Sequence, residues 1–354
     1  MVKSRRLFLI TIALLGVLLS ATVAVAGCGG GTTTTSATTA AATVQSTGTP
    51  AGDRALKVLA STPSNGDYAN NAVTAATLSQ KLNDPAQASQ LFLIDIRGKD
   101  DFAKGHIKGA TQIDFAQWAA PENLSKLPKD KKIVVICYTG NTAAQTTAGL
   151  RMLGYDAVVL KEGEMGWAQT SDTQPSINTL NAANNPTVTT PSPSQAAPAP
   201  PTATFDKPSD ADYSTLAAKA NAVMSKMPSS GDYAFNTIGA KVLPTKLADP
   251  AQASQLFVVD LRSADDYNKG HIDGAVNIPF TSLAVPDNLK LLPKDKKIVL
   301  VCYTGNTAAQ AEMILQMLDY DAVVLKFGMM GWNGTGKDSY IQDIQSANNP
   351  VVTG

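Results

Sequence analysis

The sequence predicts two tandem α/β domains, each a doubly wound parallel sheet with helices on both faces. Three observations carry this. The chain repeats itself at one offset of 165 residues, unbroken apolar runs alternate with helical patterns inside each copy, and a Pro-rich stretch separates the copies.

The repeat fixes the organisation. LNDPAQASQLF (Leu82 to Phe92) falls on LADPAQASQLF (Leu247 to Phe257), GDYA at Gly66 on GDYA at Gly231, and Trp167 on Trp332. Between Leu127–Gln145 and Leu292–Gln310, 17 of 19 residues are identical, so one domain is present twice with no net insertion. A period this long indicates tandem domains rather than a solenoid, and 354 residues leave room for about two domains of ordinary size. The expected units are residues 55–186 and 209–354.

Ahead of the first unit lies a basic start (Lys3, Arg5, Arg6), an apolar run from Leu7 to Ala26, and Val25-Ala26-Gly27-Cys28. This is the pattern of an export signal over residues 1–27. Its end resembles the bacterial lipobox, which implies cleavage before Cys28, lipid on Cys28 and a protein anchored outside the cytoplasm on a bacterial membrane. About 20 apolar residues could also span a bilayer uncleaved, but a cysteine followed directly by Gly29-Gly30-Gly31 favours the lipoprotein. Ser4-Arg5-Arg6-Leu7-Phe8-Leu9 is similar to a twin-arginine signal, so either export route is open. Residues 28–54, rich in Gly, Thr, Ser and Ala, form a flexible tether. Residues 187–208, rich in Pro, form an extended linker; neither segment holds enough apolar surface to fold.

Within each copy, Leu91-Phe92-Leu93-Ile94-Asp95-Ile96 and Lys132-Ile133-Val134-Val135-Ile136 are apolar runs suited to strands buried on both faces. Thr142 to Leu153 follows as a helix closed by Gly154, and Asp156-Ala157-Val158-Val159-Leu160 as the next strand. In such sheets ligands sit at the carboxyl ends of strands. Cys137 and Cys302 are each the first residue past such a strand. The order strand, Cys-Tyr-Thr-Gly-Asn-Thr, helix places a thiol in a tight loop at a helix start. Gly140 allows a positive φ, so that loop N–H groups turn inward, and the helix start adds positive potential, a setting that stabilises a thiolate nucleophile.

The loop CYTGNT, the upstream Asp95-Ile96-Arg97 with Gly105-His106-Ile107-Lys108-Gly109-Ala110, and Gly163-Glu164-Met165-Gly166-Trp167 together resemble the rhodanese domain. The second copy repeats the set as Asp260-Leu261-Arg262, Gly270-His271-Ile272-Asp273-Gly274-Ala275 and Gly328-Met329-Met330-Gly331-Trp332. The resemblance covers most of both units. It implies a five-stranded parallel sheet and a sulfurtransferase in which a cysteine persulfide carries sulfane sulfur from a donor to a thiophilic acceptor. The donor would be thiosulfate, a polysulfide or a persulfide, and the acceptor a thiol or a cyanide-like nucleophile. By position, Cys137 and Cys302 are the carriers. Tyr138, Thr139, Gly140, Asn141 and Thr142 form one substrate-binding loop, and Tyr303, Thr304, Gly305, Asn306 and Thr307 the other.

Many members place Arg or Lys in this loop; here it holds no charged residue, so the sequence does not identify the donor. Thr142 and Ala143 also stand where related phosphatases and arsenate reductases carry their clamping arginine, which argues against those activities. A Cys137–Cys302 disulfide would have to join two active-site loops and is not expected. No local Cys/His cluster suggests zinc, and no cofactor is expected. The formal net charge of +0 gives no basis for a nucleic-acid partner. His106 and His271, the only histidines, read as turn residues rather than general bases, Asp95/Arg97 and Asp260/Arg262 as braces, and Trp167 and Trp332 as packing for the last helix. Two other readings remain: a non-catalytic module that binds or senses sulfur at the cell surface, and a thiol redox protein. No Cys-x-x-Cys pair supports the latter.

Overall fold

The structure is a computed structural model that describes residues 46–168, 184–345 and 349–353. The export signal and Cys28 lie outside the described residues. Strands β1 to β5 (Ala72–Val73, Leu91–Asp95, Thr111–Gln112, Lys132–Ile136, Ala157–Leu160) form the first sheet, and β6 to β10 (Thr237–Ile238, Leu256–Asp260, Val276–Asn277, Lys297–Val301, Ala322–Leu325) the second. The orders are β1-β5-β4-β2-β3 and β6-β10-β9-β7-β8, with every pair parallel. Among the described residues, the helices longer than one turn in the first copy are α1 (Pro50–Ala60), α2 (Ala75–Asn83), α3 (Lys99–Lys104), α4 (Asn141–Met152) and α5 (Gly163–Trp167). Those of the second are α6 (Asp210–Lys226), α7 (Leu243–Ala248), α8 (Ala264–Lys269), α9 (Asn306–Met317), α10 (Gly328–Asn333) and α11 (Lys337–Gln345).

The central strand of each sheet shows why the apolar runs are unbroken. Ile133 and Val135 of β4 enter one core, whereas Val134 and Ile136 enter another. Successive side chains leave opposite faces, so a strand covered on both sides needs an apolar residue at every position. The first core continues into the second copy through Ile298 and Leu300 of β9, while Val299 and Val301 enter that copy's own outer core. The inner faces of the two sheets therefore share one hydrophobic core.

Helices α4 and α9 form the seam. Both carry buried alanines (Ala143, Ala144 and Ala148; Ala308, Ala309 and Ala311), which permit close approach. A Cβ on Gly149 would lie 2.3 Å from the Trp118 ring and 3.2 Å from Cε of Met313 in the other copy. That approach offsets the ~1 kcal/mol that glycine costs in a helix. Polar bonds cross the seam in a pseudo-symmetric pattern. Gln145 Nε2 donates to the Phe235 carbonyl oxygen at 3.0 Å, and Gln310 Nε2 to that of Asn70 at 2.8 Å. The symmetry breaks where Thr147 is matched by Glu312, whose carboxylate accepts from Gln145 (2.9 Å) and Asn236 (2.7 Å).

Three expectations shift. The helix α1 starts at Pro50, capped by Thr49, so the last five residues assigned to the tether are helical. The helix after the first cysteine loop starts at Asn141, one residue early, because Gly140 rather than a side-chain cap turns the chain into it. The Pro-rich linker has no regular element, yet it lies against both copies. Ala197 exchanges backbone bonds with the Asn288 side chain, the Ala203 N–H donates to the Ala60 carbonyl oxygen, and Asp206 pairs with Arg54 at 2.9 Å.

The tail of each copy also crosses to the other. Asn185 N–H donates to the Trp332 carbonyl oxygen (2.9 Å), Trp332 Nε1 donates to that of Pro186 (2.9 Å), and Val188 pairs with His271 as an antiparallel bridge. Reciprocally, Asn349 N–H donates to the Trp167 carbonyl oxygen (3.0 Å), Trp167 Nε1 to that of Pro350 (3.0 Å), and Val352 bridges His106. Both straps read Ala-Asn-Asn-Pro-x-Val (from Ala183 and from Ala347), a second repeat at an offset of 164.

Candidate active site

Cys137 follows β4 directly, and its Sγ accepts the Gly140 N–H at 3.1 Å. Cys302 follows β9 and accepts from Gly305 at 3.1 Å and Ala308 at 3.4 Å. Gly140 and Gly305 hold φ of 86° and 90°, which turns these N–H groups onto the sulfur immediately before α4 and α9 begin. Backbone dipoles and a helix start thus face each sulfur, an arrangement that holds an anionic atom without a charged side chain. Both thiols are free and buried at 2% exposure.

A second turn locks each loop from behind. Glu164 and Met165 N–H groups donate to the carbonyl oxygens of Cys137 (2.7 Å) and Tyr138 (3.1 Å). Met329 and Met330 do the same for Cys302 (2.8 Å) and Tyr303 (2.9 Å). The close approach demands glycine at the turn, since a Cβ on Gly163 or Gly328 would sit 2.3 Å from the cysteine carbonyl oxygen. The preceding residues, Glu162 (φ 65°) and Phe327 (φ 62°), occupy left-handed backbone without being glycine, a local strain imposed on both sites.

The remaining loop residues are placed as follows. Tyr138 O–H donates to Asp101 of α3 at 2.6 Å, and Tyr303 O–H to Asp266 of α8 at 2.6 Å. Burial and the bond to Asp101 push the Tyr138 hydroxyl up to about 12, so it stays a donor at neutral pH. Thr139, Asn141, Thr304 and Asn306 line a narrow crevice of about 10 Å³ between the two loops, room for about one water molecule. Thr142 and Thr307 are half-buried in the first turns of α4 and α9. The expected Cys28 site lies outside the described residues.

Residues outside the loops act as supports. Arg97 makes bidentate bonds to Asp95 and donates to the Gly105 carbonyl oxygen (2.7 Å), and Arg262 repeats this with Asp260 and Gly270. His106 stacks on Phe102 at 3.6 Å and engages Phe102 O through Nδ1; His271 does the same with Tyr267. Trp167 and Trp332, expected to pack the last helix, also hold the exchanged straps. Among the described residues no group of three or more His, Cys, Asp or Glu is placed to hold a metal, and no helix is long and apolar enough to cross a membrane.

One feature of the site was absent from the sequence reading. Glu164 is 1% exposed, neither carboxylate oxygen accepts a hydrogen bond, and Arg97 lies 3.8 Å away. Burial pushes it up to about 7, against the pull of Arg97. The matching residue in the second copy is Met329, so the two sites differ in charge. Comparison of the copies at the 165-residue offset would have exposed the difference.

The rhodanese-like domain family matches twice, at residues 74–170 and 243–335. A sulfurtransferase from Allochromatium vinosum is 33% identical over 100 residues, 28% of this chain and 89% of that protein. The thiosulfate sulfurtransferase GlpE of Shewanella oneidensis is 32% identical over 89 residues, 25% of this chain and 86% of that protein. The chain spans only 24% of the probable adenylyltransferase/sulfurtransferase MoeZ of Mycobacterium tuberculosis and 54% of YibN of Escherichia coli. Among solved structures, a rhodanese-related protein from Thermoplasma volcanium is 26% identical, covering 33% of this chain and 98% of its own, with a TM-score of 0.25.

Proposed function

Because the chain belongs to the rhodanese-like sulfurtransferase family in both of its halves, we propose that it is an exported, lipid-anchored enzyme that moves sulfane sulfur through persulfides on Cys137 and Cys302. The observation that carries the reading is the pair of buried sulfurs, each held at 3.1 Å by a loop N–H just ahead of a helix start. A thiolate there attacks the outer sulfur of a donor such as thiosulfate. A cysteine S–S bond forms, the donor's S–S bond breaks, and its electron pair leaves with sulfite. An acceptor such as cyanide then attacks the terminal sulfur, forms a C–S bond and returns the thiolate. The loop amides serve the thiolate and the persulfide alike, since both place an anionic sulfur in the cradle.

The enzyme is tested by thiocyanate release from thiosulfate and cyanide, comparing the natural protein with Cys137→Ser plus Cys302→Ser. Loss of release in the double variant is expected; equal release from both proteins would sink the mechanism. If the natural protein releases none with thiosulfate, polysulfide or a persulfide, while the cell keeps its phenotype with the double variant, the module is a binding or sensing one. The anchor is tested separately, since Cys28→Ser should move the protein out of the membrane fraction.

A further inference from the structure

The first turns of α4 and α9 are anchored differently. On the Cys302 side, Gln310 Nε2 donates to Asn306 Oδ1 at 2.9 Å, and Gln310 Oε1 accepts from Asn71 Nδ2 at 2.9 Å. Asn306 opens α9 directly after Gly305, whose N–H holds the Cys302 sulfur. At the 165-residue offset the matching residues on the Cys137 side are Asn141, Gln145 and Asn236, so the same side chains are available. Among the described residues neither matching bond forms. Glu312 takes both donors instead, Gln145 Nε2 at 2.9 Å and Asn236 Nδ2 at 2.7 Å. The two acceptors left over, Asn141 Oδ1 and Gln145 Oε1, are buried without a hydrogen-bond partner. The first copy has Thr147 in place of this carboxylate, so nothing diverts the bonds on the Cys302 side. The cradles differ in the same sense. Cys302 Sγ accepts the N–H groups of Gly305 and Ala308, whereas Cys137 Sγ accepts that of Gly140 alone among the described residues.

We propose that Glu312 of the second copy is a positioning residue for the Cys137 site. By drawing Gln145 away from Asn141 it leaves the start of α4 unanchored, and the Cys137 thiolate is the less firmly held of the two. An anchored first turn keeps its N–H groups on the sulfur, and each such bond to an anionic sulfur favours the thiolate. The two sites are therefore unequal by construction, although their loops are identical in sequence from Cys to Gln. Cys302 takes sulfur from a donor faster than Cys137 near neutral pH, a consequence that rests on the persulfide reading above.

The test is alkylation of the full chain by iodoacetamide between pH 6 and pH 9, followed peptide by peptide, which reads the thiolate without any sulfur transfer. Glu312→Thr installs the residue of the first copy and ends the diversion. Cys137 should then alkylate about five-fold faster at pH 7, the scale of one neutral hydrogen bond, and the gain should shrink as pH rises and the thiols ionise. Glu312→Gln removes the charge but keeps an acceptor for Gln145, so Cys137 should stay close to its natural rate. The mirror variant Gln310→Leu strips Asn306 of its bond and should slow Cys302 by a similar factor, with Cys137 unchanged. Glu164, which also distinguishes the two sites, is untouched in all three variants. The proposal is overturned if Glu312→Gln speeds Cys137 as much as Glu312→Thr, because charge alone would then act. It is overturned equally if Glu312→Thr speeds both cysteines, or speeds Cys137 by the same factor at every pH, or if neither Glu312→Thr nor Gln310→Leu changes any rate. A natural protein that alkylates as described yet loads no sulfur would remove the persulfide reading and leave the role of Glu312 standing.

Discussion

Gln145 of the first copy donates its side-chain amide to Glu312 of the second at 2.9 Å, a bond wholly buried in the seam between α4 and α9. Asn236 supplies the only other hydrogen bond to that carboxylate among the described residues. Burial outweighs both bonds and pushes Glu312 from 4.5 up to about 8.

The sign of the pH dependence follows. A carboxyl whose folded pKa lies above its unfolded one binds its proton more tightly when folded. The stability that Glu312 contributes is therefore fully present below pH about 4.5, and is lost as pH rises toward about 8. Glu312→Gln keeps the shape and removes the charge. The variant should gain on the natural protein between pH 5 and pH 8 in urea midpoint. A constant difference across that range would show that Glu312 does not titrate in the seam.

The exchanged straps give a second expectation. Trp332→Phe removes the bond to the Pro186 carbonyl oxygen while keeping an aromatic ring. The loss should cost about 1–3 kcal/mol in urea unfolding, the range for a polar group left without its partner away from water. Trp167→Phe should do the same through Pro350. An unchanged midpoint in both would mean that the straps add nothing to stability.

The turns behind the loops allow each site to be switched off alone. Gly163→Ala places a Cβ 2.3 Å from the Cys137 carbonyl oxygen at a φ of 60°, and Gly328→Ala does so at Cys302 with a φ of 53°. The left-handed backbone alone costs about 1–2 kcal/mol, and the clash displaces the loop. Site-resolved loading should fall at Cys137 in the first variant and at Cys302 in the second. Equal losses at both cysteines would indicate global unfolding instead.

Much of this was legible in the sequence because it is local. β4, Cys137, Gly140 and α4 follow one another in the chain, and each is dictated by apolar run, turn glycine or helix pattern. Repetition at Cys302 then separated signal from chance. What was not legible depends on contacts between distant residues. Asn185 and Pro186 fold back onto Trp332, 146 residues on, and their motif repeats at 164 rather than 165, so alignment of the domains alone passes over it. Phe205 and Asp206 sit in a Pro-rich stretch that looks unable to fold, yet Arg54 and Arg151 of the first copy hold them. Nothing adjacent to Tyr340 in the sequence points toward the first copy; only the fold of α11 onto α5 brings its ring into one cluster with Met165.

Whether Cys137 and Cys302 both carry sulfur is read by peptide-resolved mass spectrometry after exposure of the intact protein to thiosulfate or polysulfide. The peptide of each cysteine should gain the mass of one sulfur atom, removed by cyanide with release of thiocyanate. No added sulfur on either peptide with any donor would contradict it.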